Sequence, residues 1–247
     1  MSTKLKFNGD LWRFKSLEDF FSYRDLFEYI KNQDAMNQHT ESFEYFCGEP
    51  ELHPSNSEQE LKDNVKESIS SSLDHFGSLT VVSLCTTYEV SVKEFLSCIF
   101  FYNPEYMFNY LGTDESKGDV NLKEILRASS HEELIINLAK TSSSKASKGR
   151  YGDVLRKISK LCGENQDIEL SDKLNDLQSE RNSIVHDKLN KSWSCEQIQE
   201  REEIISASIE LLCRFGEAKK IPGNYTCINP SEVLILKSIA GLSKNET

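Results

Sequence analysis

The chain has 247 residues, 38% of them hydrophobic and 28% charged, and its formal net charge is −11. This apolar content is too high for a disordered chain, and the length suits one large domain with added segments. The negative charge argues against a protein that binds nucleic acid through a broad, sequence-independent basic surface.

Nothing in the sequence indicates a membrane span, an export signal or a metal site. No apolar run approaches the roughly eighteen residues that a membrane helix needs, and the N-terminal residues lack the hydrophobic stretch of a signal peptide. The seven cysteines include no C-x-x-C pair, which argues against a zinc site or a disulfide framework. We therefore expect a cytoplasmic protein that binds no metal and no cofactor.

The first predicted helix covers residues 17 to about 40, with Ser16 as its N-cap and its aromatic and aliphatic side chains on one side. Residues 48–57 contain glycine, proline and serine and predict a break in the chain. Ser57 and Glu60 then have the spacing of a capping box at the start of a long helix or helix pair. We assign residues 1–70 to an N-terminal helical extension.

The apolar positions of residues 81–101 predict another helix, provided that Glu89 belongs to its apolar side. In that arrangement Glu89 carries its charge inward. Pro104 limits this helix, and a further amphipathic helix is predicted from about residue 122 to residue 140. The polar residues 141–149 predict a mobile segment.

The second half of the chain predicts further helices and no strand of ordinary length. Gly163 and Ser171 are the expected stop and start signals between two of these helices. We expect an all-α fold, with an up-and-down helical bundle over residues 71–220 and a C-terminal helical tail over residues 221–247. The predicted helical segments are residues 151–161, 171–189, 196–217 and 233–242.

One of these helices carries an arginine on its apolar face. The alternating spacing of four and three residues that marks one helix face runs through Leu170, Leu174, Leu177, Arg181, Ile184 and Lys188. A guanidinium that faces a core or a subunit interface must be paired, because removing an unpaired charge from water costs several kcal/mol or more. We therefore expect a partner group opposite Arg181.

The same helix contains the segment Arg181-Asn182-Ser183-Ile184-Val185-His186, in which four residues separate the arginine from the histidine. This pattern, at the end of a strongly amphipathic helix, resembles the R-x(4–6)-H signature of the HEPN (higher eukaryotes and prokaryotes nucleotide-binding) superfamily. The resemblance covers roughly residues 73–218. It implies a helical bundle that in many members of the family is a metal-independent endoribonuclease.

The residues at these positions suit that chemistry. In such an enzyme the RNA 2′-hydroxyl attacks the adjacent phosphorus, so the protein moves a proton and stabilises charge on the phosphoryl oxygens. Histidine exchanges a proton near neutral pH, which makes His186 the expected general base or acid. Arg181 is always protonated and can bind two oxygens at once, which suits the developing phosphorane charge.

The spacing of the motif constrains how its side chains meet. Residues five apart on a regular helix point about 140° away from each other. Arg181 and His186 therefore converge only if the helix ends near Val185, or if a second copy of the chain completes the site. The family resemblance implies the second arrangement, a homodimer. Asn182 shares a face with His186 and is expected to orient its ring or to contact the scissile phosphate.

Glu89 is the residue that we expect to pair with Arg181, since each charge is costly to bury alone. The resemblance likewise implies that an acidic or polar residue on an earlier helix holds the motif arginine. A purely structural ion pair explains Glu89 equally well. For Arg181 and His186, the alternative is that they bond backbone carbonyls at the end of an ordinary helix.

Residues 140–160 contain seven basic residues and one acidic residue. Phosphate contacts from this region and from the motif helix, with stacking on an aromatic ring, are the expected means of RNA binding. The residues that we assign to this role are Lys145, Lys148, Arg150, Tyr151 and Lys188. A solvated basic face explains the charges equally well, and an aromatic residue that begins a helix usually packs against the core.

The sequence leaves two functions open. The first is a HEPN-type endoribonuclease that acts as a homodimer in a toxin or antiviral defence setting, where an antitoxin or another defence-system protein is a possible partner. The second is a non-catalytic HEPN module that dimerises, or that binds a nucleotide or a partner protein. The negative net charge favours the second function.

Overall fold

The computed structural model describes residues 5–42, 58–107, 128–187 and 191–225. Within these ranges the chain forms seven helices and one parallel pair of two-residue strands. The helices are α1 (Gly9–Lys31), α2 (Gln33–Glu41), α3 (Glu58–Tyr102), α4 (His131–Ala146), α5 (Tyr151–Cys162), α6 (Ile168–Asp187) and α7 (Cys195–Ala218), and the strands are β1 (Phe7–Asn8) and β2 (Gly223–Asn224). The predicted all-α class is confirmed for the described residues, and none of their helices combines the length and apolar composition of a membrane span.

The core forms around α3, which packs against α1, α4, α6 and α7. The α1 side chain of Tyr23 and the α3 side chain of Phe95 are both fully buried in it. The predicted domain boundary near residue 70 falls inside the continuous helix α3. The division of the chain into domains stays a prediction.

The N-terminal helix begins eight residues earlier than predicted, at Gly9. Its N-cap is Asn8, whose Oδ1 accepts a hydrogen bond of 3.2 Å from the amide of Leu11. The prediction that Ser16 caps this helix is wrong, because Ser16 is buried within α1 and its hydroxyl donates to a backbone carbonyl. The single predicted helix is also divided in two, because Asn32 ends α1 and caps α2.

The predicted mobile segment at residues 141–149 is largely helical, since α4 continues to Ala146. Two of its serine hydroxyls, those of Ser143 and Ser144, donate to the backbone carbonyl of Lys140 at 2.8 Å and 3.0 Å. Ser143 is fully buried and its Oγ lies 2.7 Å from that of Ser97 on α3. These hydroxyls are therefore hydrogen-bonded within the helix, and Ser143 also joins α4 to α3.

The boundaries of the last three helices follow from their caps. α5 ends at Gly163, whose φ of 71° is the left-handed conformation expected of a C-terminal glycine. α6 begins at Ile168, not at Ser171, because Asp167 Oδ1 accepts a hydrogen bond of 2.9 Å from the amide of Leu170. α7 begins with a capping box at Ser194. Predictions for Ser57, for residues 48–57 and for residues 233–242 lie outside the described residues.

Helices α5 and α6 approach each other closely at Gly152. A Cβ atom on Gly152 would lie 1.9 Å from the carbonyl oxygen of Ser171. The amide of Gly152 donates to Asn175 Oδ1 at 2.9 Å, and the amide of Tyr151 donates to Gln178 Oε1 at the same distance. Side chains of α6 therefore satisfy the first two amides of α5, which the helix itself leaves without acceptors.

The chain that leaves α6 is held in place by Trp193. Its Nε1 donates to Ser78 Oγ at 2.9 Å, and its carbonyl accepts a hydrogen bond of 2.8 Å from the hydroxyl of Tyr23. The indole ring packs on Gly77, where a Cβ atom would lie 2.6 Å from the ring. Contacts with both α1 and α3 thus fix the segment that follows the motif helix.

Glu202 is a buried residue of α7 whose carboxylate contacts Ser16 of α1. Its burial predicts an unusual dependence of protein stability on pH. Burial raises its pKa above the ordinary 4.5, although hydroxyl donors from Ser206 and Ser16 oppose the shift. Because the folded-state pKa is raised, the contribution of Glu202 to the free energy of unfolding is fully present below the unfolded-state pKa. This contribution is lost as the pH rises through the folded-state pKa and the buried carboxyl group ionises. We expect Glu202→Gln to raise the free energy of unfolding at pH 7 and to change it little near pH 4.

Urea denaturation at both pH values checks this prediction, with Glu203→Gln as the control on the exposed side of the same helix. The control removes the same charge without removing a buried carboxylate. A Glu202→Gln protein that is less stable than the parent at pH 7, by the same amount as at pH 4, contradicts the prediction.

Candidate functional site

The apolar face of α6 is present as predicted, and Arg181 lies on it. Leu174 and Leu177 on the preceding turns are buried, while Arg181 and Ile184 are half-buried. The guanidinium therefore sits where the buried face of the helix reaches the surface of the chain. This position keeps Arg181 partly out of water and still open to a ligand.

Arg181 has few partners within the protein. Its Nη1 donates to Asn182 Oδ1 at 3.1 Å, and its buried Nε has no hydrogen-bond acceptor among the side chains and backbone groups that the structure describes. No carboxylate of the described residues lies within ion-pair distance of it. Arg13 also has a buried Nε without an acceptor, but its Nη1 lies 3.9 Å from a carboxylate oxygen of Glu210. Arg181 thus lacks the negative partner that its position calls for.

Glu180, the acidic neighbour of Arg181 in the chain, is held by other cations. Its carboxylate accepts hydrogen bonds from Arg201 at 3.1 Å and from Lys191 at 2.9 Å. Burial alone would raise the pKa of Glu180, but these two cations lower it overall. Glu180 therefore joins α6 to α7 and leaves the guanidinium of Arg181 without this carboxylate.

Glu89 does not point inward, and the predicted direct ion pair with Arg181 is wrong. Glu89 is exposed on α3, and its carboxylate accepts a hydrogen bond from the hydroxyl of Tyr151. Both charges nevertheless influence the same buried group, the thiol of Cys85. Burial raises the pKa of the Cys85 thiol to about 12, Glu89 adds to the shift and Arg181 opposes it.

Tyr151 packs inside the protein, which is the structural alternative that the sequence left open. It is 5% exposed, and its ring lies at 5.0 Å from that of Tyr88, centroid to centroid. Burial, followed by the hydrogen bond to Glu89, raises the pKa of its hydroxyl. Tyr151 therefore offers no exposed ring for a base to stack on, and its role here is to hold Glu89.

His186 lies on the last turn of α6 and is exposed, as is Asn182. α6 continues as a helix to Asp187, so the proposed helix end near Val185 is wrong. On a regular helix Arg181 and His186 then point about 140° apart, whereas Asn182 and His186 lie within about 40° of each other. The helix therefore does not bring Arg181 and His186 of one chain together, and the arrangement that needs a second copy of the chain stays a prediction.

The predicted RNA-binding cations lie on the surface near α5. Lys145 and Lys148 are exposed at the end of α4, and Arg150 is exposed at the N-cap of α5. Lys188 lies outside the described residues. The structure adds Lys93, an exposed cation one turn after Glu89 on α3, which the sequence analysis missed. The spacing of four residues from Glu89 was the signal that could have pointed to it.

The described residues contain no cluster of histidine, cysteine, aspartate and glutamate side chains that could hold a metal ion. Their cysteines, Cys85, Cys98, Cys162, Cys195 and Cys213, are all free thiols. Comparisons of the chain with protein-family models, with curated proteins and with solved structures found no match. The function is therefore inferred from the residues and their arrangement.

Proposed function

We propose that this protein is a HEPN-type, metal-independent endoribonuclease whose active site is completed by a second copy of the chain. The observation that carries the proposal is the half-buried guanidinium of Arg181, which has no carboxylate partner among the described residues and a buried Nε without an acceptor. A phosphate group offers the charge and the paired oxygen atoms that such a guanidinium lacks. RNA carries that group next to its own nucleophile, the 2′-hydroxyl.

Each motif residue has a distinct part in the proposed reaction. Arg181 binds the phosphoryl oxygens and stabilises the charge that develops as the 2′-hydroxyl attacks phosphorus. His186 moves the proton, and Asn182 on the same face orients its ring or contacts the phosphate. The products are a 2′,3′-cyclic phosphate and a 5′-hydroxyl. Glu89 does not contact the substrate in this scheme and acts only through its charge, because its carboxylate accepts a hydrogen bond from the hydroxyl of Tyr151.

A second copy of the chain is the arrangement that we propose for bringing the two motif residues together. Because the helix is regular through His186, the arginine and the histidine of one chain face different directions. A two-fold axis beside α6 brings the arginine of one copy toward the histidine of the other, as an isologous interface does. Val185 is 44% exposed between the two faces and is suited to such an interface.

The alternative is a non-catalytic HEPN module that dimerises or binds a nucleotide or partner protein, and the net charge of −11 favours it. Under the enzymatic proposal, we also propose a toxin or antiviral defence setting, which the resemblance to HEPN proteins implies. An antitoxin or another defence-system protein is then the regulatory partner. The two proposals differ in whether RNA is cut.

Cleavage of a panel of structured and unstructured RNAs in the presence of EDTA tests the proposal. We expect the parent protein to cut at least one RNA, and Arg181→Ala and His186→Ala to reduce its rate by about 100-fold or more. Arg214→Ala and His75→Ala are the matched controls, because both side chains are exposed and lie outside the motif. These two control variants are expected to cut at the parent rate.

Failure of the parent protein to cut any RNA of the panel contradicts the enzymatic proposal. Cleavage at an unchanged rate by both motif variants contradicts it as well, because it removes Arg181 and His186 from the reaction. Circular dichroism of each variant shows whether a lost activity reflects lost folding.

A further inference from the structure

A cavity of about 550 Å³ opens beside the candidate site, between α3, the end of α4, the start of α5 and α6. We call it the lysine cavity, after Lys93 of α3 and Lys148 of the turn between α4 and α5, which both line it. Its volume lies within the range of about 300–1,000 Å³ that is typical of small-ligand sites. The cavity is large enough for one nucleotide unit.

The lysine cavity is positively charged although the protein as a whole is acidic. Neither Lys93 nor Lys148 forms an ion pair or hydrogen bond through its ammonium group within the described part of the chain. Glu89 is the one acidic residue that lines the cavity, and its carboxylate accepts the hydroxyl of Tyr151. The lining therefore carries two exposed lysines and one glutamate, in a chain whose net charge is −11. Such a cavity favours an anionic ligand.

The fold holds this cavity in a defined shape. Gly149 has a φ of 128°, a conformation that side chains rarely adopt, and it turns the chain from α4 into α5 so that Lys148 lines the cavity. Gln178 Nε2 donates to the carbonyl of Gly149 at 3.1 Å, while its Oε1 accepts from the amide of Tyr151. One side chain of α6 thus fixes both ends of the turn.

The lining of the lysine cavity reaches to within one helical turn of Arg181 along α6. Gln178, which lines the cavity, precedes Arg181 by three residues and so lies on the same side of α6. Tyr151 also lines the cavity, and the charge of Arg181 acts on its hydroxyl. A strand whose phosphate contacts Arg181 can therefore place a neighbouring phosphate in the cavity.

We infer that the lysine cavity binds one phosphate group, with Lys93 and Lys148 as its cationic contacts. The chemistry of the cavity selects a phosphate, and the identification of its source as RNA rests on the proposed function. The aromatic rings of Tyr88 and Tyr151 are buried, so no stacking surface for a base is present on these residues. Binding in the cavity is expected to depend on the backbone of the strand and little on its sequence.

Binding of a single-stranded 2′-O-methyl RNA, which has no free 2′-hydroxyl and is not cut, tests the inference. We expect the double variant Lys93→Gln/Lys148→Gln to bind about 10-fold or more weakly than the parent at low salt. The magnitude of the slope in a plot of log affinity against log salt concentration is expected to fall by about 0.7, the value for one phosphate of a single strand that is no longer neutralised. Fluorescence anisotropy at several salt concentrations measures both quantities.

The matched control is Lys157→Gln/Lys160→Gln, which removes the same charge from exposed positions on α5 that do not line the cavity. This control is expected to keep the slope of the parent. Equal loss of affinity and slope in the two double variants overturns the inference, because the effect then comes from general charge. Unchanged binding by the cavity variant overturns it as well.

A nucleoside 5′-monophosphate added as a competitor identifies the source of the phosphate. Competition that is lost in the cavity variant shows that the cavity accepts a free terminal phosphate. If the monophosphate does not compete at any concentration and the cavity variant still binds RNA more weakly, the cavity accepts a phosphodiester within a strand. Both results support the inference and differ only in the ligand.

The result of the binding experiment does not depend on the proposed function, because binding of the uncleavable RNA requires no cleavage. Cavity-dependent binding by a protein that never cuts RNA supports the cavity and contradicts the enzyme. Cleavage that depends on Arg181 and His186, with binding and cleavage unaffected in the cavity variant, contradicts the cavity and supports the enzyme.

Discussion

Mixing Arg181→Ala protein with His186→Ala protein is expected to restore RNA cleavage that neither variant shows alone. In a mixed dimer, one composite site combines Arg181 of the second protein with His186 of the first, while the other site lacks both. Random exchange of subunits makes about half of the dimers mixed, with one intact site of two, so the expected activity is about a quarter of the parent value. The measurement is the cleavage rate after the variants have been unfolded together and refolded.

The control for this experiment is the double variant Arg181→Ala/His186→Ala mixed with the parent protein. Its mixed dimers contain no intact composite site, because each site lacks either the arginine or the histidine. Only the parent homodimers, about a quarter of the dimers, then remain active, whereas sites within one chain would leave about half of the parent activity. If mixing the single variants restores nothing while the parent is a dimer that cuts RNA, Arg181 and His186 act within one chain, and the shared site is wrong.

Gly152→Ala is expected to lower the free energy of unfolding by about 3 kcal/mol, because the new methyl group meets the backbone of α6. The added Cβ atom would lie 1.9 Å from the carbonyl oxygen of Ser171 and 2.9 Å from Asn175 Nδ2. A backbone carbonyl cannot rotate away as the end of a flexible side chain can, so α5 and α6 must separate. Thermal unfolding is expected to show a fall of roughly 6–12 °C in Tm for a domain of this size.

Gly163→Ala is the control for this substitution. No atom lies within 4 Å of its added Cβ, so the cost comes only from the left-handed φ of 71°. We expect about 1 kcal/mol for this backbone strain alone. Equal effects of the two substitutions would show that the close approach of α5 and α6 at Gly152 is absent from the protein in solution.

The sequence predicted those helices whose signals are local. Gly163 ended α5 as expected, since a left-handed C-terminal residue requires only the chain around it. Residues 196–217 were predicted with errors of one residue at each end for the same reason. The buried leucines of α6 confirmed the predicted apolar face, because spacing alone determines which residues share a side of a helix.

The errors arose where polar side chains are satisfied by contacts distant in the chain. Ser16 resembles an N-cap in sequence, but its hydroxyl also bonds Glu202 at 3.0 Å, across 186 residues. The serines of α4 resemble a flexible segment, although Ser143 meets Ser97 inside the core. No local pattern distinguishes a serine that caps a helix from one that bonds its neighbours within the fold.

The candidate site shows the same limit. Arg181 was found from its position among apolar residues, and its lack of a carboxylate partner within the described part of the chain became visible only in the structure. Glu89 was assigned to Arg181 because both charges interrupt apolar patterns in the sequence. The sequence did not show that the hydroxyl of Tyr151, 62 residues away, donates a hydrogen bond to the carboxylate of Glu89. Lys93 and Lys148 come together only through the packing of α3 against the turn at Gly149.

A crystal structure of the protein bound to an uncleavable 2′-O-methyl RNA is the most direct test of the claim that Arg181 binds a phosphate at a site shared by two copies. We predict a phosphate oxygen at about 2.7–2.9 Å from the guanidinium of Arg181 and His186 of a second copy within hydrogen-bond reach of the 2′-oxygen. Arg181 bound to a protein carboxylate, with the RNA elsewhere on the surface, would contradict it.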